Sequence, residues 1–125
     1  MKNENEKNNI RAIFGSGLAA RVAVYIPSTT DATKAVPELA EKMTAKTAAA
    51  FSDLFGGATA TTARGFWNSA DAGLIAEAVT IVYSNTTPEQ IEKHAADIKR
   101  IAEAVRDGMT QEAVSVEING TLYFI

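Results

Sequence analysis

The sequence predicts an α+β protein of the ferredoxin-like plait class, with βαββαβ order and both helices on one face of an antiparallel sheet. A strand–helix–strand pattern runs twice, with strand centres near residues 24 and 62, and then near 79 and 115. Each intervening helix carries a single apolar stripe, as expected for a helix packed on a sheet. Asn119-Gly120 is a two-residue hairpin signal, and it predicts one extra C-terminal strand over Thr121–Ile125.

The composition indicates an ordinary globular domain of 125 residues, 46% hydrophobic and 22% charged. A net charge of −3 gives no electrostatic footprint for nucleic acid. The absence of cysteine excludes disulfides, thiolate metal sites and cysteine nucleophiles. No apolar run approaches the roughly 20 residues that span a bilayer, and the charged first residues do not predict a secretory signal. We therefore expect a cytoplasmic protein with no nucleic-acid or membrane partner.

The first unit follows an N-terminal segment with few apolar residues. Residues 1–9 are expected to be a disordered tail and residues 10–125 a single domain, with a short turn or strand over Ile10–Phe14. Arg21–Ile26 alternates like a half-buried strand. A helix is expected over Leu39–Leu54. Its first turn contains Pro37, and it is preceded by a connection over Asp31–Val36 and ended by Gly56-Gly57.

The second unit has clearer boundaries. Strands are predicted over Ala58–Trp67 and Leu74–Tyr83, with a turn between them. Thr87 is the expected N-cap of a single helix over Pro88–Val105, because Pro88 suits the first helical position and Gln90 lies three residues after the cap. The last core strand is predicted over Ala113–Ile118.

Several short motifs follow one another between residues 55 and 118. They are Phe55-Gly-Gly-Ala-Thr59, Gly65-Phe-Trp67, Gly73, Glu77 and Gln111-Glu-Ala-Val114. In this order they resemble a bacterial domain family of unknown function with a ferredoxin-like outline, whose pattern is Gly-x-Thr, Gly-x-Trp, Gly, Glu and Gln-Glu-(Ser/Ala)-Val. The resemblance implies the same fold and supplies candidate positions, but it implies no particular reaction. A small, acidic, cysteine-free chain also resembles proteins carried by bacterial mobile elements or phages.

Glu77 is the most informative polar residue. It interrupts an apolar strand on the side of Ile75, Val79 and Ile81, where a carboxylate is expected to be partly buried. One interpretation is a general base or a ligand contact on the open sheet face. The other is a structural carboxylate, paired with a cation such as Arg64 or bound to the neighbouring turn.

The sheet face without helices is expected to carry Tyr25, Ser115 and Glu117, with Trp67 close to Tyr25 at one end of the sheet. An aromatic surface with a few polar groups suits either a dimer interface or a small-molecule cleft. Dimerisation is the commoner outcome for this architecture. The ligand or interface candidates are therefore Tyr25, Arg64, Trp67, Glu77, Ser115 and Glu117.

No catalytic residue, metal site or cofactor is assigned from the sequence. His94 is the only histidine, and its place beside an apolar stripe favours a boundary role over metal binding or catalysis. Gly15-Ser-Gly17 and Phe55-Gly-Gly57 do not continue as phosphate-binding loops. No serine lies in a Gly-x-Ser-x-Gly context.

Two hypotheses remain for the function. The leading one is a non-catalytic binding protein that forms a homodimer through its sheet face and, as a mobile-element or phage protein, binds a host protein. The alternative is a small ligand-binding protein or enzyme that uses the open face. There Glu77 would be the base or anchor, Trp67 and Tyr25 the walls, and Arg64 or Arg21 the cation.

Overall fold

A computed structural model describes residues 4–30 and 34–125 of the chain. The described residues form four helices and seven strands. In order they are α1 (Glu4–Phe14), β1 (Ala20–Pro27), β2 (Thr29–Thr30), β3 (Lys34–Ala35), α2 (Pro37–Phe55), β4 (Thr59–Ser69), β5 (Gly73–Thr86), α3 (Pro88–Lys93), α4 (Ala95–Gly108), β6 (Ser115–Ile118) and β7 (Thr121–Phe124).

Five strands form one sheet in the order β4-β5-β1-β6-β7, and β2 pairs with β3 in a separate ribbon. Every neighbouring pair in the large sheet is antiparallel. The predicted α+β class with an antiparallel sheet is therefore confirmed. The extra strand β7 follows the Asn119-Gly120 turn, where both residues have positive φ, 50° and 88°, as a type I′ hairpin requires.

Alternation along β1 separates the two faces of the sheet. Val22, Val24 and Ile26 are almost fully buried, and Val24 lies opposite Val82 on β5 and Val116 on β6. Tyr25 belongs to the other face. The predicted alternation is confirmed, and the even-numbered residues of β1 pack into the hydrophobic core.

Helices α2 and α4 contribute their apolar stripes to the same core as these strand residues. Phe51 on α2 is completely buried, and its ring meets that of Phe55 edge-on with centroids 5.8 Å apart. Ala102 and Val105 are the buried counterparts on α4. Burying one phenylalanine side chain contributes about 1.5–3 kcal/mol, so these stripes hold the helices on the sheet.

The expected cap residues occupy the helix ends. Gly56 takes the left-handed conformation at φ 89°, and its N–H donates to the carbonyl of Ser52 at 2.8 Å. At the start of α3, the backbone N–H of Gln90 donates to Thr87 Oγ1 at 3.2 Å.

The single helix expected over Pro88–Val105 is instead divided at His94. This residue has φ −107° and ψ 18°, outside the helical region, and it both ends α3 and begins α4. Its ring packs edge-on against Phe55, with 5.8 Å between centroids, and its Nδ1 lies 3.1 Å from Asp97 Oδ2. The apolar stripe continues across the bend, so the sequence periodicity carried no sign of it.

The N-terminal region also differs from expectation. Residues 4–9, expected as part of a tail, belong to α1, and Ile10–Phe14 is the end of this helix rather than a turn or strand. A helix satisfies its own backbone groups, so a segment without core residues can still form one. Gly15, at φ 81°, ends α1 and donates its N–H to the Arg11 carbonyl. Residues 1–3 of the expected tail and 31–33 of the expected connection lie outside the described residues.

Strands β4 and β5 continue beyond the rest of the sheet. β5 pairs with β1 only over residues 79–86, whereas its pairing with β4 continues to Gly73. Residues 64–69 and 73–78 therefore form a two-stranded extension, called the arm below. Its apolar side chains Phe66, Trp67 and Leu74 are exposed.

Candidate functional site

A cleft of about 340 Å³ lies where the arm leaves the sheet. β4 and β5 form one wall, the end of β1 contributes a second side, and the segment from Gln111 to Ser115 closes a third. The lining residues combine an apolar surface with a few polar groups. They are Tyr25, Pro27, Ala63, Arg64, Gly65, Glu77, Ala78, Val79, Ile81, Gln111, Ala113, Val114 and Ser115.

Glu77 brings a carboxylate to the β5 wall. It lies opposite Gly65 on β4, so no side chain covers it from that strand. A side chain at position 65 would meet its nearest neighbour, the Glu77 backbone oxygen, only at 4.0 Å. None of the ion pairs found within the described residues includes Glu77. The space beside this partly buried carboxylate therefore belongs to the cleft.

Tyr25 is the aromatic wall, and its hydroxyl donates to Glu117 Oε1 at 3.4 Å. Burial raises the pKa of Tyr25 above its ordinary value of 10.0, and the charge and the hydrogen bond of Glu117 raise it further. At neutral pH the phenol is therefore protonated, with its proton directed at the carboxylate. Glu117 does not line the cleft and is connected to it by this hydrogen bond.

Gln111 holds the third side of the cleft in place. Its Nε2 donates to the carbonyl of Thr29 at 2.8 Å and to that of Met109 at 3.2 Å. The bond to Thr29 joins the segment after α4 to the segment after β1. The side-chain oxygen of Gln111 remains an acceptor next to the cleft.

The two candidate cations lie apart from each other. Arg64 lines the cleft, and its guanidinium lies over the Phe66 ring, 5.5 Å from the centroid. Arg21 stacks on the Tyr83 ring at 4.0 Å, and its Nε donates to Asn85 Oδ1 at 3.4 Å. Arg64 is therefore among the residues that line the cleft, whereas Arg21 is not.

The structure brings together four of the six candidates from the sequence: Tyr25, Arg64, Glu77 and Ser115. Glu117 joins them through its hydrogen bond. The expected contact between Trp67 and Tyr25 is not found. Trp67 pairs with Ile75 in the arm, whereas Tyr25 pairs with Ile81, six residues further along β5.

Sequence reasoning missed Gln111 as a cleft residue. It was part of the family resemblance, together with Gly65, Glu77 and Val114, and all four line the cleft. The order of these motifs along the sequence was the signal that could have identified Gln111. That the four residues line one cleft depends on how the chain folds back after α4.

Within residues 4–30 and 34–125, no group of three His, Asp or Glu side chains could hold a metal ion. Among the described helices, none is long and apolar enough to cross a membrane.

Two solved structures share this fold. The chain resembles a phage SAM lyase in complex with S-methyl-5′-thioadenosine at 17% identity, covering 88% of this chain and 91% of that one, with a TM-score of 0.64. It resembles a phage SAM lyase in the apo state at 15% identity, covering 86% and 88%, with a TM-score of 0.61. At such low identity the likeness shows the fold alone. No family model and no curated protein matches the chain.

Proposed function

We propose that this chain is an enzyme that cleaves S-adenosylmethionine at a carbon–sulfur bond in the open-face cleft and releases S-methyl-5′-thioadenosine. The observation that carries the proposal is the Glu77 carboxylate, uncovered and without an ion-pair partner among the described residues, in a cleft beside apolar walls. The shared fold with a phage SAM lyase supports it. This proposal develops the ligand-binding alternative and replaces the non-catalytic role.

The size and lining of the cleft suit a nucleoside that carries a positive charge. Its volume of about 340 Å³ is within the range of small-molecule sites, about 300–1,000 Å³. Val79, Ile81 and Tyr25 offer flat apolar surface for an adenine ring. Glu77 attracts the sulfonium or the α-ammonium group of the methionine chain.

The reaction requires no water and no redox partner. When the bond between sulfur and Cγ breaks, its electron pair stays on sulfur, and the sulfonium becomes the neutral thioether S-methyl-5′-thioadenosine. With Glu77 as anchor, the substrate's own carboxylate attacks Cγ and closes a lactone. With Glu77 as base, the carboxylate removes a Cβ proton, and the four-carbon fragment leaves as an unsaturated amino acid.

The strand order also supports the finer description of the fold. β1, β4, β5 and β6 are the four strands of the two predicted units, and they lie in the order β4-β5-β1-β6. Two βαβ crossovers that interleave in one sheet produce this order, as in the split βαβ plait. β7 is then the added hairpin strand.

Two variants test the proposed function. Glu77→Gln removes the charge, and Gly65→Val adds a side chain to the cleft at a position that has no positive φ. Both are expected to reduce release of S-methyl-5′-thioadenosine from S-adenosylmethionine, measured by liquid chromatography, by at least about 100-fold, as loss of a general base or of substrate positioning does.

Thr62→Val is the matched control, because it is an exposed position on β4 outside the cleft, and it should keep wild-type activity. NMR identification of the four-carbon product separates the two roles of Glu77. Purified wild-type protein that releases no thioether from S-adenosylmethionine would overturn the proposal.

Self-association remains part of this proposal. The arm exposes Phe66, Trp67 and Leu74 on a ribbon that pairs with no third strand among residues 4–30 and 34–125. Exposed apolar side chains clustered in this way favour a covering surface. A second copy of the chain, placed on the open sheet face and the arm, would supply it and would reduce the access of water to the cleft.

A further inference from the structure

We infer that Glu117, acting through Tyr25, makes the cleft select positively charged ligands over their neutral thioether counterparts. The inference rests on the proposed function, because it concerns the same cleft and the same class of ligand. It assigns a positioning and specificity role to a residue that does not touch the ligand. The distinguishing groups are a sulfonium or ammonium on the preferred ligand and an uncharged sulfur on the rejected one.

The first step is the direction of the Tyr25 hydrogen bond. A carboxylate can only accept, so the phenol must donate its proton to Glu117 Oε1, 3.4 Å away. The Tyr25 oxygen is then left with lone pairs for other contacts. Because Tyr25 lines the cleft, it presents an acceptor oxygen and an electron-rich ring there, and both favour a cation.

The second step is the balance of charge around the cleft. Among the described lining residues, Glu77 and Arg64 carry opposite charges. The Arg64 guanidinium already lies over the Phe66 ring. Glu117 adds a second negative charge behind Tyr25, and it is partly buried, where solvent screens it less than at the surface. Glu77, Arg64 and Glu117 together carry a net charge of −1, which favours a cationic ligand in the cleft.

The third step follows from the chemistry of the reaction. The substrate enters with a positively charged sulfur, and the product leaves with a neutral one. The negative charge of Glu117 stabilises the bound cationic substrate but not the neutral product thioether. The product therefore dissociates more easily than the substrate. The same negative charge also stabilises the charged ground state more than a transition state in which the charge is leaving sulfur. Glu117 should therefore govern affinity more than the chemical step.

The test compares two unreactive probes that differ in charge. They are S-adenosylhomocysteine, which has a neutral thioether, and sinefungin, in which an amine-bearing carbon replaces the sulfonium. Dissociation constants are measured by isothermal titration calorimetry at two salt concentrations. The wild type is expected to prefer sinefungin, and Glu117→Gln should reduce this preference about 3- to 10-fold, as expected for a charge that is close but not in contact.

Two further variants control the interpretation. Tyr25→Phe keeps the ring but removes the hydroxyl, and it should lose a similar part of the preference. Glu89→Gln removes an exposed carboxylate from α3, outside the cleft, and should leave the preference unchanged. In turnover, Glu117→Gln should raise KM for S-adenosylmethionine and leave kcat unchanged or raise it.

The outcomes distinguish this inference from the proposed function. If the wild type binds neither probe and releases no thioether, the proposed function fails. If both probes bind but Glu117→Gln leaves their affinity ratio and its salt dependence unchanged, Glu117 has no role in selection and this inference alone fails.

Discussion

At the scale of the residue, Glu77 has the features of a functional side chain rather than a stabilising one. It is partly buried on β5, lies opposite a glycine, and has no ion pair among those found within the described residues. A carboxylate placed without a cation adds little to the stability of the fold and costs some solvation. A ligand bound in the cleft, as proposed above, would explain its position.

Glu77→Gln should therefore leave the free energy of unfolding unchanged or raise it, by up to about 1 kcal/mol, because an amide is less costly to desolvate than a carboxylate. Urea titration followed by circular dichroism measures the change. Phe51→Ala provides the contrast, with an expected loss of about 3–5 kcal/mol from the core. Unfolding of Glu77→Gln under native conditions would show that the carboxylate is structural.

The raised pKa of Tyr25 predicts that the protein loses stability at high pH. Burial, then the charge and hydrogen bond of Glu117, raise the pKa of Tyr25 above 10.0 in the folded state. Between the pKa of the unfolded state and that of the folded state, the folded protein holds more protons on Tyr25. The contribution of the Tyr25 phenol to the free energy of unfolding is therefore complete below pH 10, and it decreases as the pH rises through the pKa of the folded state. Urea midpoints measured between pH 8 and 11 should fall less steeply for Tyr25→Phe. Equal slopes would contradict the assignment.

At the scale of the element, the C-terminal hairpin depends on two positive-φ positions. Gly120 has φ 88°, where a side chain is strained whatever space surrounds it. The turn sets the register in which β7 pairs with β6.

Gly120→Ala should lower the free energy of unfolding by about 1 kcal/mol, since alanine strains this conformation. Gly57→Ala is the matched control, because Gly57 has no positive φ and nothing within 4 Å of an added Cβ. Chemical denaturation of both variants measures the difference. A Gly120→Ala protein as stable as Gly57→Ala would mean that the turn does not impose this backbone.

At the scale of the whole molecule, the arm and the open sheet face argue for self-association. Light scattering after size exclusion should report a mass above that of the 13.3 kDa chain. Replacing Trp67 by serine should shift it toward the monomer, since Trp67 is an exposed apolar side chain of the arm and lies on the same face as Glu77. Ile13→Ser, on exposed α1, should not. A monomeric wild type at all concentrations would end the homodimer prediction.

The arm also shows what strand patterns cannot convey. Alternation predicted both β4 and β5, and the structure has them from Thr59 to Ser69 and from Gly73 to Thr86. Both strands run further than expected, and β1 pairs only with the last part of β5. The alternation of side chains along a strand is the same whether the strand has one neighbouring strand or two. The length of the arm is therefore set by where β1 stops pairing with β5, which the sequence pattern of β4 and β5 does not contain.

The sequence alone determined the α+β class with an antiparallel sheet, the caps at Gly56 and Thr87, and the turn at Asn119-Gly120. Side-chain periodicity and turn preferences depend on residues close together in the chain, so they can be recognised from the sequence without knowledge of the fold. Only the tertiary structure decided that Gln111 returns beside Thr29, that Glu77 lies opposite Gly65, and that Trp67 is remote from Tyr25. These relations depend on strand register and on the path of a loop, which packing between distant segments sets.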